Sequence, residues 1–295
     1  MTSARIALVT GANQGLGRAL VEGLAARLGP DDQVLLTGRN ADRVAEAAGR
    51  VTAEPGTRSR VEGRVLDVSD AGAVALLAAE LSQRHGGVDL VVSNASAMLT
   101  PERSQSEQAD DFVGVANGGT VAMLRSFAPV LRPGGRLLVV ASSLGTLGNL
   151  DPRLHSLFDG ASLDDVEKAV ASWRTALSTG SAEDLGWPRW INVPSKVAQV
   201  AAVRAVAAER RDVDLPANRL IASVCPGLID TALSRPWFTD FSGAQTPAQA
   251  AVAVLDLLLT ERTDPAAYGE LVRFGQVLDW HGGTPPRLPE GLLLP

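Results

Sequence analysis

The chain has 295 residues, 45% of them hydrophobic, which is enough to bury the core of one large domain. Its formal net charge of −6 argues against nucleic acid or an anionic membrane surface as partner. The one cysteine, Cys225, excludes an internal disulfide and fits a reducing compartment.

Taken in chain order, short β-rich apolar runs alternate with Ala/Leu-rich helical stretches. This predicts βαβ units and an α/β, Rossmann-type doubly wound parallel sheet of about seven strands. Strands are expected near Arg5–Val9, Gln33–Thr37, Val61–Leu66, Val88–Ser93, Arg136–Ala141, Arg219–Val224 and Glu270–Phe274. Leu16, Leu20, Leu24 and Leu28 repeat every four residues, so the first helix should stop at Gly29-Pro30. The first apolar run is cut at Thr10-Gly11, too short for a signal-peptide core, and Val252–Leu259 is too short to span a bilayer. A soluble cytosolic protein is expected.

Between Gly145 and Lys196 the alternation breaks, over a length beyond the roughly 2–6 residues of a simple connection. We read an insertion over about residues 146–190 of a single domain spanning 1–295. It includes a helix from Leu163 to Leu177, with Ser162 as N-cap and Asp164 and Asp165 in the first turn. After Asn192, Val197, Val200, Val203 and Ala207 predict another helix. A second irregular stretch, residues 232–247, carries Trp237, Phe238 and Phe241, read either as a packed lid base or as the lining of a flat apolar pocket.

The loop Thr10-Gly11-Ala12-Asn13-Gln14-Gly15-Leu16-Gly17 lies between the first strand and first helix. Gly11 permits the tight turn, Gly15 lets the backbone approach a pyrophosphate, and Gly17 lets helix and strand pack closely. The helix N-terminus would then face the anion. At the end of the second strand stands Thr37-Gly38-Arg39-Asn40, with no carboxylate before Asp42. A carboxylate there would repel a 2′-phosphate; Arg39 instead offers it a planar fork, which favours NADPH/NADP+. Nothing shows metal-ligand spacing, and His155 is a lone loop histidine.

The spacing Gly-x-x-x-Gly-x-Gly after Thr10, Gly186-Trp187-Pro188 ahead of Lys196, and Cys225-Pro226-Gly227-Leu228-Ile229-Asp230-Thr231 together resemble a short-chain dehydrogenase/reductase of the carbonyl-reductase type. The resemblance implies that Asp67 and Val68 hold the adenine. It implies that Asn94 and Ala95, with Ser96 next to them, form the floor of the site. Lys196 would hold the nicotinamide ribose, and the segment from Pro226 and Gly227 to Ile229 and Thr231 the carboxamide. An insertion of this type covers the surface used for assembly in tetrameric relatives, which implies a monomer.

The catalytic positions depart from the family. Ser142 or Ser143 could polarise a carbonyl, and the Ser-x-x-Gly spacing to Gly145 selects Ser142. The tyrosine four residues before Lys196 is replaced by Asn192, and the chain's only tyrosine, Tyr268, lies far downstream. An amide can hydrogen-bond but cannot act as an acid at neutral pH. The family's relay asparagine is also displaced: counting back from Gly119-Thr120 puts Ala116 there, with Asn117 one residue off. The expected activity is an NADPH-dependent ketoreductase acting on an aromatic, angucyclinone-like polyketide ketone. Water, a serine hydroxyl or an acidic hydroxyl of the substrate could supply the proton; the substrate's own phenol is the expected source, with Ser96, Trp237, Phe238 and Phe241 lining the substrate site. A non-catalytic NADP-binding regulator, or a cofactor-bound isomerase, dehydratase or cyclase, are the alternatives.

Overall fold

The computed structural model describes residues 4–282. Eight strands form one sheet: β1 (Ile6–Val9), β2 (Gln33–Gly38), β3 (Arg60–Val65), β4 (Val88–Ser93), β5 (Leu131–Val140), β6 (Leu220–Cys225), β7 (Leu271–Arg273) and β8 (Gln276–Leu278). Their order is β3-β2-β1-β4-β5-β6-β7-β8, parallel throughout except for the antiparallel β7–β8 pair. Strands β1 and β6 are buried along their whole length because helices cover both faces. Between β1 and β4 the strand order reverses, opening the crevice at their C-terminal ends where α/β sheets bind ligands.

The helices are α1 (Gly15–Arg27), α2 (Ala41–Ala53), α3 (Ala71–His85), α4 (Gln105–Val113), α5 (Gly119–Phe127), α6 (Leu163–Thr179), α7 (Asn192–Asp214) and α8 (Pro247–Leu258). Helices α1, α2 and α8 pack together on one side, and α3, α5 and α7 on the other, with α6 laid against α4 and α7. Gly23 makes the α1–α8 contact possible: a Cβ there would stand 2.3 Å from a Leu255 methyl. A π-helical turn, Gly114–Gly118, joins α4 to α5.

The structure departs from the sequence reading at three places. An eighth strand closes the sheet edge through a two-residue turn whose residues Phe274 and Gly275 both have positive φ. Strand β5 starts at Leu131, earlier than expected, because a register shift carries it past Pro133-Gly134-Gly135. The irregular stretch expected over 232–247 ends one residue sooner, since Pro247 opens α8 behind a Thr246–Gln249 capping box.

The insertion has a core of its own. Trp173 and Trp187 lie 5.9 Å apart and Phe158 meets Trp187 edge-on at 6.2 Å. Helix α6 begins where expected, with the Ser162 side chain accepting from Asp165 N. The far end of the chain straps it down: Leu147 N donates to Trp280 O, and the Trp280 indole to Asp159. No helix among the described residues is long and apolar enough to cross a membrane.

Candidate active site

The turn after β1 is fixed by Thr10, whose hydroxyl accepts from Asn94 N at 2.9 Å and Ala95 N at 3.0 Å. The Asn94 side chain returns the contact, donating to the carbonyls of Thr10 and Gly11. The β1 and β4 loops are thereby locked together. Gly11, at φ +60°, lies so close to Ala95 that a Cβ would meet its Cα at 2.8 Å. At Gly17 a Cβ would stand 2.5 Å from Gly11 O and 2.6 Å from Asn94 Nδ2.

Gly15, at φ +56°, begins α1 beside Gln14, which provides no side-chain cap. By contrast Asn40, Asp70, Ser104, Ser162 and Thr246 each cap their helices. The first turn of α1 therefore keeps backbone N–H groups without a side-chain acceptor, beside a glycine backbone that can be approached closely. That is the chemistry a pyrophosphate requires, and a dinucleotide fits here. Leu16 is buried behind the turn, and Asn13 reaches toward the backbone of Gly38.

Arg39 stands exposed at the end of β2 and makes no ion pair among the described residues. Asp67 accepts from Ser69 N and Oγ; these bonds, with a smaller contribution from Arg39, hold its carboxyl below the usual range. Val68 is buried against Gly119, where a Cβ would come within 2.6 Å of its methyl.

Thr231 closes the opposite wall, its methyl 3.8 Å from where a Gly15 Cβ would be. The segment leading to it is clamped by a residue absent from the sequence reading. Gln245 donates through Nε2 to Pro226 O, pairs its N–H with Leu228 O, and accepts from Asp230 N. Ile229 and Gln245 form an isolated bridge, so the loop between them has adjacent feet. Gly227, at φ +85°, fits between Gln245 and the Phe274 ring with no room for a Cβ.

Four side chains represent the expected catalytic positions. Ser142 Oγ accepts from Leu144 N at 3.2 Å, and the Ser143 hydroxyl makes no hydrogen bond among the described residues. The turn they open sits directly on α7, since a Cβ at Gly145 would be 2.9 Å from Lys196 O. Asn192 is the first residue of α7, partly exposed, and its amide likewise has no partner among the described residues. One turn later on the same face, Lys196 donates to Gln199 Oε1 at 2.7 Å and to Val140 O at 3.4 Å. Lys196 meets no carboxylate at ion-pair distance among the described residues, and burial depresses it from 10.5 to about 8, opposed weakly by Cys225.

Tyr268 is not a relocated catalytic acid. It is buried, with its hydroxyl donating to Asp214 at 2.8 Å, and Asp214 also holds Arg210 and Arg219. Burial and the neighbouring carboxylate push the phenol well above its ordinary value. His155 is tied to Leu150 O in the insertion.

Among the expected substrate contacts, Ser96 is exposed, its hydroxyl making only a 3.4 Å contact to Ala97 O. Trp237 is buried: its indole N–H donates to Leu99 O at 3.1 Å and its ring meets Trp190 at 6.1 Å, tilted by 38°. It anchors the lid, leaving the partly buried Phe238–Phe241 pair, 6.3 Å apart, as the lid's aromatic surface. The described residues contain no metal-ligating cluster.

The family model for short chain dehydrogenase matches residues 5–151. Among curated relatives, carbonyl reductase [NADPH] 1 of Sus scrofa is 28% identical, over 97% of this chain and 96% of its own length. Carbonyl reductase [NADPH] 3 of Mus musculus is 29% identical over 94% and 98%. Among solved structures, salutaridine reductase from Papaver somniferum aligns with a TM-score of 0.75 at 20% identity, covering 90% of this chain and 99% of its own. Menthone neomenthol reductase from Mentha piperita gives 0.72 at 21%, covering 93% and 100%. With the glycine cradle, the reversal of strand order beside it and the lysine on α7, these matches make the chain similar to the short chain dehydrogenases and to the carbonyl reductases among them.

Proposed function

We propose that the protein is an NADPH-dependent ketoreductase that takes the proton for the new hydroxyl from its substrate rather than from a side chain. The substrate class is an aromatic polyketide ketone of the angucyclinone type, in antibiotic biosynthesis, with a phenol beside the reacting carbonyl. The carrying observation is Asn192: at the head of α7, one turn before a retained lysine, stands a group that cannot release a proton at neutral pH.

The curated carbonyl reductases named for NADPH support that cofactor, as does Arg39 at the end of β2. In this reading Gly11, Asn13, Gln14, Gly15, Leu16 and Gly17 hold the pyrophosphate, and Arg39 the 2′-phosphate. Asp67 and Val68 bound the adenine; Asn94, Ala95, Pro226, Gly227, Ile229 and Thr231 surround the nicotinamide; Lys196 binds its ribose. Bound NADPH supplies the hydride. The Ser142 and Ser143 hydroxyls donate to the carbonyl oxygen as it gains charge. The adjacent phenol then gives its proton to that oxygen, and solvent reprotonates the resulting phenolate. Ser96, just after β4, lines the ketone site together with Phe238 and Phe241, and Trp237 holds the lid that carries the two phenylalanines. Helix α6 lies across α4 and α7, which supports a monomer, and the lone buried thiol of Cys225 suits the cytosol.

The test pairs peri-hydroxy polyketide ketones with their O-methyl ethers and follows loss of reduced nicotinamide absorbance. Methylation should slow reduction roughly 10²–10⁴-fold, the usual worth of a general acid. Asn192→Tyr should give no gain with the phenolic ketones and a gain with the ethers. Equal rates for phenol and ether in the natural protein would refute substrate-assisted transfer. Tight NADPH binding without turnover would favour the regulator, to which the changed Asn192 and Ala116 positions also point. Product without NADPH consumption would identify an isomerase or cyclase.

A further inference from the structure

A cavity of about 160 Å³ lies behind the active site, between α4, α5, α6 and α7. Val113, Val121, Val166 and Val170 make it largely apolar, and exposed Arg174 marks its mouth. Gln199 lines this cavity; Lys196 does not. One side chain thus stands between the lysine and a second opening to the surface.

That side chain is fully engaged. Gln199 is 3% exposed, and its Nε2 donates both to Ala116 O at 3.0 Å and to Thr120 Oγ1 at 2.9 Å. With both amide hydrogens committed, its orientation is fixed and Oε1 must face Lys196, whose ammonium it accepts at 2.7 Å. The Ala116 carbonyl lies within the π-helical turn, which also turns Asn117 inward. There Asn117 Nδ2 donates to Ser195 O, and Asn117 Oδ1 accepts from Ser195 Oγ. The rear of α7 is therefore stitched to the α4–α5 junction by two residues one helical turn apart, Ser195 and Gln199.

We propose that Gln199 is a positioning residue for Lys196, tying its ammonium to the π-helical step and closing it off from the rear cavity. Little else could perform this role. Around Lys196, among the described residues, β5 offers the Val140 carbonyl at 3.4 Å and β6 the Cys225 thiol. The turn after β5 brings hydroxyls, α5 brings Thr120, and the charged Glu167 and Arg174 of α6 line the cavity beyond Gln199. Of the two neutral acceptors that keep Lys196 protonated in a buried place, Gln199 Oε1 at 2.7 Å is thus the stronger and Val140 O at 3.4 Å the weaker. A hydrogen bond to a charged group, once removed, moves a buried lysine by about one pH unit or more.

The composition makes this directly measurable, because the chain has only two lysines, Lys168 and Lys196. Lys168 is exposed and paired with Asp165, so Lys168→Arg assigns the other signal. Protein carrying [13Cε]lysine would be titrated by NMR without cofactor, as the natural sequence, Gln199→Leu and the near-isosteric Gln199→Glu. Lys196 should titrate near 8 in the natural protein, at least about one unit lower with leucine, and about one unit or more higher with glutamate. Should the leucine variant fail to fold, the glutamate shift alone decides. NADPH affinity from fluorescence titration, which rests on the proposed function, should lose its alkaline limb at correspondingly lower and higher pH. Identical Lys196 titrations in all folded proteins would overturn the proposal, leaving Gln199 a structural tie. Opposite shifts without NADPH binding in any protein would leave Gln199 in its role and remove the cofactor assignment instead.

Discussion

The two walls of the active site are held together by different physics. The cofactor wall is backbone against backbone: Gly11 on Ala95, Gly17 on Gly11 and Asn94, and Thr10 bonded to the β4 loop. Its shape depends on atoms that are missing, and it tolerates almost no change. The wall proposed for the substrate is side chain against side chain, with Trp237 tilted against Trp190 and the insertion built on Trp173, Trp187 and Phe158. One wall presents peptide groups. The other is a set of packed aromatic anchors.

Trp237→Ala attacks the second wall and should have the largest effect. Removing a buried tryptophan costs about 3–5 kcal/mol, here with the indole bond to Leu99 O lost as well. Calorimetry should show a lowered Tm, and kinetics a raised KM for ketone. NADPH affinity should hold; its parallel loss would mean that the walls are not independent. Gly17→Ala attacks the first. Its Cβ would meet Gly11 O at 2.5 Å and Ala12 Cα at 2.9 Å, both backbone atoms that cannot swing aside. A cost of about 1–3 kcal/mol is expected, with loss of measurable NADPH binding by fluorescence titration. Tyr268→Phe tests whether the lone tyrosine belongs to either wall. Asp214 keeps Arg210 and Arg219, so a loss of about 1 kcal/mol by urea denaturation and unchanged turnover are expected. A fall in turnover would return Tyr268 to the chemistry.

The same contrast governs what the amino-acid sequence discloses. Glycine spacing is legible because each position excludes other residues for a local reason, so the loop, the strands flanking it and α1 could be read directly. Ser162 likewise announces α6 because capping is a local event. Strand β8 was not legible: it has three residues and follows a turn that places Phe274 at φ +48°, where turn chemistry favours glycine or asparagine. The start of β5 was hidden by Pro133-Gly134-Gly135, which reads as a turn and proves to be an irregularity within a strand. Gln199 and Gln245 were missed because their partners are carbonyls and hydroxyls distant in sequence, and a carbonyl has no letter. The one available signal for Gln199 was a polar residue set among Val197, Val200 and Val203 on the buried side of α7. The π-helical turn adds a second obstacle, since it alters the helical register by which a position such as Asn117 would be counted.

The bridge between Ile229 and Gln245 has a consequence for how such an enzyme diversifies. The lid leaves the sheet and returns to it at one point, with Gln245 fastened to Pro226, Leu228 and Asp230. Between those feet the exposed residues can change in length and composition without pulling on the segment that faces the glycine loop, while Thr231 and Ser234, bonded to each other, and the buried Trp237 stay as fixed points. Variation can then concentrate in one loop while the glycine cradle is inherited intact.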